Sequence, residues 1–208
     1  MLLVITCAAC FISFLSGSSV VGLDSSHLQP SCTPEQERHV EACLRPLVDY
    51  ATNLHADIQH LPGVGGPEVF DSLCGLFREF ESCARGGSCR SVGVDAMEAS
   101  YGYMCGEGYH YFSDHINCFM KVEENLDYGV CRSESVSQMN KLHQSDSGGR
   151  QEQYLDQLCT LMEQYLQCSK PIILQLCGQT AWSLVAKVSE DSLKISMPNC
   201  NLINIFHT

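Results

Sequence analysis

Two stretches of the chain carry the same arrangement of apolar positions. In FDSLCGLFREFESC (Phe70–Cys83) the large apolar side chains fall at Phe70, Leu73, Cys74, Phe77 and Phe80. In LDQLCTLMEQYLQC (Leu155–Cys168) they fall at Leu155, Leu158, Cys159, Met162 and Tyr165. Both follow i, i+3, i+4, i+7, i+10 spacing, which lays one apolar face along an amphipathic helix and marks the aromatics and Met162 as core. Thr33-Pro34 with Gln36 predicts a capped helix start running toward His55, with Pro46 as a kink point. LPGVGGP (Leu61–Pro67) reads as a loop whose Pro67 opens the next helix, and RGGSCRSVGV (Arg85–Val94) as another loop. The stretch Ser133–Gln151 ends in a polar linker, and Lys170–Val188 reads as a buried helix. Strand-like alternation of useful length is missing. The expected fold class is all-α.

The chain opens MLLVITCAACFISFLSGSSVVG, in which Leu2–Leu15 is an almost unbroken apolar run followed by small residues. The run is too short to span a membrane and sits at the extreme N-terminus, so residues 1–22 read as a signal peptide cleaved near Gly22. Its n-region has no Lys or Arg. No later segment is apolar for long enough to predict a span, and the tail NLINIFHT is too short and polar for a lipid-anchor signal. The expected location is secreted and extracellular.

Cysteine usage sharpens the picture. Of 14 cysteines, Cys7 and Cys10 lie in the leader. The others are Cys32, Cys43, Cys74, Cys83, Cys89, Cys105, Cys118, Cys131, Cys159, Cys168, Cys177 and Cys200. An even set in an exported chain predicts disulfides, and the absence of paired C-x-x-C or short Cys/His clusters after the leader gives no zinc pattern. Cys32-x10-Cys43 followed by Cys74-x8-Cys83 parallels Cys118-x12-Cys131 followed by Cys159-x8-Cys168, and each half closes with two more cysteines. This predicts an internal duplication of a six-cysteine unit. The first unit spans 23–117 and the second 118–208, together one compact, disulfide-rich stack of short helices. Nine residues along a helix span about 13–14 Å, whereas a disulfide needs Cα atoms within about 7 Å. Cys74 therefore cannot pair with Cys83, nor Cys159 with Cys168. Within a six-cysteine unit the pairing is otherwise open, with about 15 connectivities.

Charge removes some partners. Twelve Lys and Arg against 24 Asp and Glu give a formal charge of −12. Such a surface excludes nucleic acid, which requires a basic footprint, and argues against binding free polyanionic glycans. N-x-S/T sequons are absent.

One motif suggests an enzyme. Tyr101-Gly102-Tyr103-Met104-Cys105-Gly106-Glu107-Gly108 resembles the calcium-binding loop of secreted phospholipases A2. That resemblance implies a following Cys-Cys-x-x-His-Asp helix, which here reads Cys118-Phe119-Met120-Lys121-Val122-Glu123. Val122 cannot serve as a general base, and Asp114 and His115 come too early and in the wrong order. The echo of Cys105-Gly106 in Cys177-Gly178 offers a different explanation, glycine giving room beside a bridge. G-x-S-x-G, H-E-x-x-H and phosphate-loop motifs are missing, and His55/His60 and His110/His115 are spaced poorly for a metal. No catalytic residue, metal ligand or cofactor is assigned, and the chain is expected not to be an enzyme.

The run Cys74-x-x-Phe77-x-x-Phe80-x-x-Cys83, with SYGYMCGEGY, HINCF and LCGQTAW on a twelve-cysteine frame, resembles the chondroitin proteoglycan 4 domain family of secreted, cysteine-rich nematode proteins. The resemblance implies a noncatalytic extracellular-matrix or egg-covering protein, with matrix or other secreted proteins as partners and a covalent chondroitin chain on some members. Such chains are built on Ser-Gly, and outside the leader the pair occurs once, at Ser147-Gly148, beside Asp146. Ser147 is the candidate attachment residue. Two other readings stand beside this one: a secreted binding module for a protein or lipid ligand, and, third, a calcium-dependent phospholipase-like hydrolase.

Overall fold

The computed structural model describes residues 31–60, 66–85, 89–145 and 151–206. The signal peptide read over residues 1–22 and the candidate Ser147 both lie outside the described residues. The first helix, α1 (Pro34–His60), starts with the reciprocal cap its sequence predicts. The Thr33 backbone N–H donates to Gln36 Oε1 at 2.8 Å, and the Gln36 N–H donates to Thr33 Oγ1 at 3.3 Å. Pro46 is carried inside this helix. Next come α2 (Pro67–Ala84), α3 (Val92–Met97), a π-helical turn (Glu98–Gly102) and the short α4 (Tyr103–Cys105). Longer helices follow: α5 (Tyr109–Glu124), α6 (Leu126–Ser145) and α7 (Gln151–Ser196), before α8 (Ile203–Phe206) closes the chain. Among the described residues the fold is all-α, with a single isolated bridge between Ser31 and Arg90.

Two boundaries differ from the sequence pattern. The loop expected over 85–94 already turns helical at Val92, because Ala96 and Met97 are drawn into the core. The stretch after Ser133 is helical as far as Ser145, with Met139 and Leu142 packing on the core, and the polar linker expected at its end falls on 146–150, outside the described residues. Lys170–Val188 is not one helix: α7 runs on from Gln151 and is interrupted at Gly178, where φ is 78° and ψ −178°. Two helical segments, 151–177 and 179–196, meet there.

The paired apolar pattern identifies the two hub helices. On α2, Phe70, Leu73, Cys74, Phe77 and Phe80 are all buried. On the first segment of α7, Leu158, Met162 and Tyr165 are buried, while Leu155 and Cys159 pack on the core half-buried. The nine-residue cysteine spacing then acts as geometry requires. Cys74 pairs with Cys105 and Cys83 with Cys43, so α2 is clamped on opposite faces to α4 and α1. Cys159 pairs with Cys200 and Cys168 with Cys131, so α7 is clamped to the C-terminal segment and to α6. Cys32–Cys89 and Cys118–Cys177 complete the set. Numbered within each half, both read first to fifth, second to fourth, third to sixth.

The two halves share one core. The segment 179–196 leaves its own half and packs on the π-helical turn and α3 of the first. There Ser192 and Ser100 hydroxyls share a hydrogen bond at 3.2 Å and Lys187 Nζ lies 5.4 Å from the Tyr103 ring centroid. Trp182, fully buried, anchors this segment, with Lys170 Nζ over its ring at 5.2 Å and donating to the Ile205 carbonyl at 2.7 Å. The boundary drawn at 117/118 by counting cysteines falls inside α5, because the chain crosses between units as a continuous helix.

The glycine at the α7 break is required by conformation rather than crowding, since a Cβ there would meet nothing within 4 Å. At its φ and ψ any other residue is strained by about 1–3 kcal/mol. Gly178→Ala should therefore lose about that much unfolding free energy in urea titrations of the oxidised protein. An unchanged midpoint would show that the turn is not held at positive φ in solution.

Candidate functional site

The segment that resembles a calcium loop is built for close packing. Gly106 and Gly108 close the turn after α4, with the Gly108 N–H donating to the Tyr103 carbonyl at 2.8 Å. A Cβ on Gly106 would stand 2.6 Å from the Gly102 carbonyl oxygen, and one on Gly108 2.8 Å from both the Tyr103 ring and its carbonyl oxygen. Both contacts are shorter than real Cβ atoms make, so glycine is required here by space alone. The turn carries Cys105 to its bridge with Cys74 and lets Tyr109 begin α5. Tyr109 Oη then donates a short hydrogen bond to Asp71 on α2, which, with burial second, raises the phenol above its ordinary value.

The positions where a phospholipase would carry its base and metal carboxylate do other work. Val122 is 3% exposed and belongs to the core. Glu123 pairs with Arg132 of α6 across 3.2 Å. His115 Nδ1 meets the Tyr111 carbonyl at 2.8 Å, and His143 Nδ1 meets Tyr154 Oη at 3.1 Å. His55 and His60 lie on α1, with side chains outside the described residues. These histidines are dispersed over several elements rather than gathered round one acid–base pair.

Beneath Glu123 and Arg132 lies a buried polar pair. Tyr128 of α6 and Tyr165 of α7 share a hydrogen bond at 2.8 Å. Loss of water around Tyr128 is the main reason its phenol is raised well above 10.0, with the Tyr165 and Glu123 fields adding to it. Periodicity placed Tyr165 on the core face but gave no sign of its partner, because Tyr128 sits on a helix with little amphipathic contrast.

One group of potential ligands converges among the described residues. His39 Nε2 and the sulfurs of Cys43 and Cys83 all lie within 4.8 Å of one another at the junction of α1 and α2. The two sulfurs are bonded to each other, and metal binding needs thiolates, so this is an imidazole beside a disulfide. The sequence carried both cysteines as bridge candidates. His39 went unnoticed, although its place one helical turn before Cys43 was a legible signal.

Residues 32–201 match the family described as Domain of unknown function (DUF19), and the chain belongs to it. The uncharacterized protein ZK370.6 of Caenorhabditis elegans is 25% identical over 195 residues, covering 85% of this chain and 93% of that relative. No solved structure matches. The resemblance to the chondroitin proteoglycan 4 domain is thereby corrected: the match lies with this other family. The motifs that suggested the resemblance have local structural causes here. Cys105-Gly106 and Gly108 answer to crowding, Cys177-Gly178 to a helix break, and the Phe77 and Phe80 run to the core face of α2.

The Tyr128 phenol gives a pH dependence with a defined sign. Below pH 10.0 folded and unfolded chains both hold the proton. Above it the unfolded chain releases the proton first, so stability falls as pH rises. Tyr128→Phe should cost about 1 kcal/mol at neutral pH and flatten part of the alkaline loss. Urea unfolding at about pH 8 and about pH 11 reads both; an alkaline slope identical to that of the unsubstituted protein would disprove it.

Proposed function

We propose that this member of the DUF19 family is a secreted, noncatalytic extracellular protein, a durable helical scaffold that works by presenting its surface to matrix or other secreted proteins. The observation that carries the reading is the state of the cysteines. All twelve from Cys32 to Cys200 are oxidised in six bridges that repeat one pairing order. Disulfides of this density belong to oxidising compartments. The apolar leader at residues 2–15 supports export, and no described helix is long and apolar enough to cross a membrane.

The energetics fit durability outside the cell. In the chain-entropy treatment each bridge here, closing between 31 and 59 residues, is worth about 4 kcal/mol against the unfolded chain. Domains are stable by only about 5–15 kcal/mol in total, so one bridge is a large fraction. A net charge of −12 keeps the surface hydrated and directs it toward partners with basic patches. A chondroitin chain on Ser147 is not part of the proposal, since the resemblance that implied it is replaced.

Intact mass of the protein recovered from culture medium tests export and oxidation together. The expected species lacks the leader and is twelve hydrogens lighter than the reduced chain, two for each of the six bridges. Free thiols, or retention of the leader inside the cell, would overturn the reading. Fatty-acid release from phospholipid vesicles with calcium should stay at background; clear turnover would restore the hydrolase.

Cys74→Ser and Cys159→Ser should each reduce the secreted yield severalfold by opening a clamp on a hub helix. Undiminished secretion of both would show that these bridges are dispensable.

A further inference from the structure

Two atoms face His39 Nε2: the Cys83 carbonyl oxygen at 3.3 Å and the Cys43 sulfur at 3.6 Å. Neither can donate a hydrogen, since a carbonyl only accepts and a disulfide sulfur carries no proton. Nε2 must therefore hold the hydrogen, and the tautomer follows from the neighbours. That single N–H lies nearer the Cys83 carbonyl, with the Cys43 sulfur as its second, longer acceptor.

The two ends of that disulfide differ. As residues, Cys43 is 8% exposed and Cys83 is exposed, so the Cys83 end is the more open to a nucleophile, and the sulfur displaced by attack there belongs to Cys43. Exchange rates depend on access to the attacked sulfur and on how well the leaving sulfur carries charge. The open Cys83 side meets the first condition; for the second, burial of Cys43 disfavours a thiolate and the His39 N–H is the group that offsets it. The helices joined by this bridge also have other anchors: α1 follows directly on Cys32–Cys89, and α2 keeps Cys74–Cys105. Opening the bridge leaves the hub helix clamped.

We propose that the Cys43–Cys83 bridge is a covalent exchange site for a small thiol, with His39 as the hydrogen-bond donor to the leaving sulfur. The incoming thiolate forms a bond to Cys83 Sγ as the Cys83–Cys43 bond breaks. The electron pair passes to Cys43 Sγ, where the His39 Nε2–H meets it. The proton lost by the incoming thiol ends on Cys43. The products are a mixed disulfide on Cys83 and a free thiol at Cys43, with no other oxidant or reductant required.

The second half supplies a control within the same molecule. Cys131–Cys168 occupies the corresponding place, again with one buried partner, Cys131 at 3% exposure, and one exposed, Cys168. The residue one turn before Cys131 is Asp127, exposed in the first turn of α6. A carboxylate there disfavours a departing thiolate instead of assisting it.

The test treats the oxidised full-length protein briefly with reduced glutathione, blocks free thiols with an alkylating agent and maps the peptides by mass. The expected result is glutathione on Cys83 and alkylation of Cys43, forming about tenfold faster than an adduct on Cys168, the factor one hydrogen bond supplies. His39→Ala should abolish that advantage and leave the Cys131–Cys168 rate unchanged, while its circular dichroism confirms the oxidised fold. Asp127→His should accelerate adduct formation at Cys168, an independent check that does not rely on the first variant folding. Equal rates at the two bridges, an adduct on Cys43, or no response to either substitution would overturn the proposal.

Discussion

Two cysteines nine residues apart on one helix cannot reach each other, and most of this architecture follows from that. The hub helices α2 and α7 each carry such a pair, so each is forced to seek partners on two sides. The neighbours α1 and α4 close on α2, while α6 and the C-terminal segment close on α7. Hydrophobic burial supplies the attraction, with Phe70, Leu73, Phe77 and Phe80 on one hub and Leu158, Met162 and Tyr165 on the other. The bridges select which of many similar helix packings is kept. A duplicated frame of this kind specifies arrangement more than it specifies chemistry.

The same constraint explains what the amino-acid pattern revealed and what it hid. Periodicity identified both hubs, and the capping pair Thr33 and Gln36 marked the first helix start, because these signals are local. Helix geometry excluded the within-hub pairings but left the connectivity open, since choosing among partners requires knowing which helices meet. The crossing of segment 179–196 into the first half was equally invisible. It depends on Trp182, Lys187 and Ser192 finding partners far away in sequence. Gly178 was noticed for its place after a cysteine, with space as the expected reason; the actual reason there is a backbone angle. At Gly106, space was indeed the cause. Identical Cys-Gly pairs thus answer to different physics in the two halves.

The candidate site was harder to read than the fold. A Cys-Gly-x-Gly turn carries similar residues whether it wraps calcium or admits a close backbone contact. Only the surroundings separate the two, and here the turn's glycines face Gly102 and Tyr103 at distances no side chain tolerates. His39 shows the opposite failure. Its i, i+4 spacing places it beside Cys43 on one helix face, but which cysteine closes the bridge there, and so what the imidazole borders, is set only when Cys83 arrives from α2.

Repetition of the frame also sets where divergence is tolerated. The hub positions in each half are held by packing and by the bridges, yet the position one turn before the second cysteine is exposed in both, His39 in one and Asp127 in the other. Exposure there frees the residue from packing, so its identity can change without disturbing the helix that carries it. The change bears on chemistry all the same, because thiol exchange at a disulfide depends on how well the leaving sulfur carries charge, and a nearby donor and a nearby carboxylate act on that in opposite directions. A scaffold that spends its buried positions on durability can still acquire chemistry at such a place, where a solvent-facing side chain borders a bond that is strong in folding and weak to a thiol.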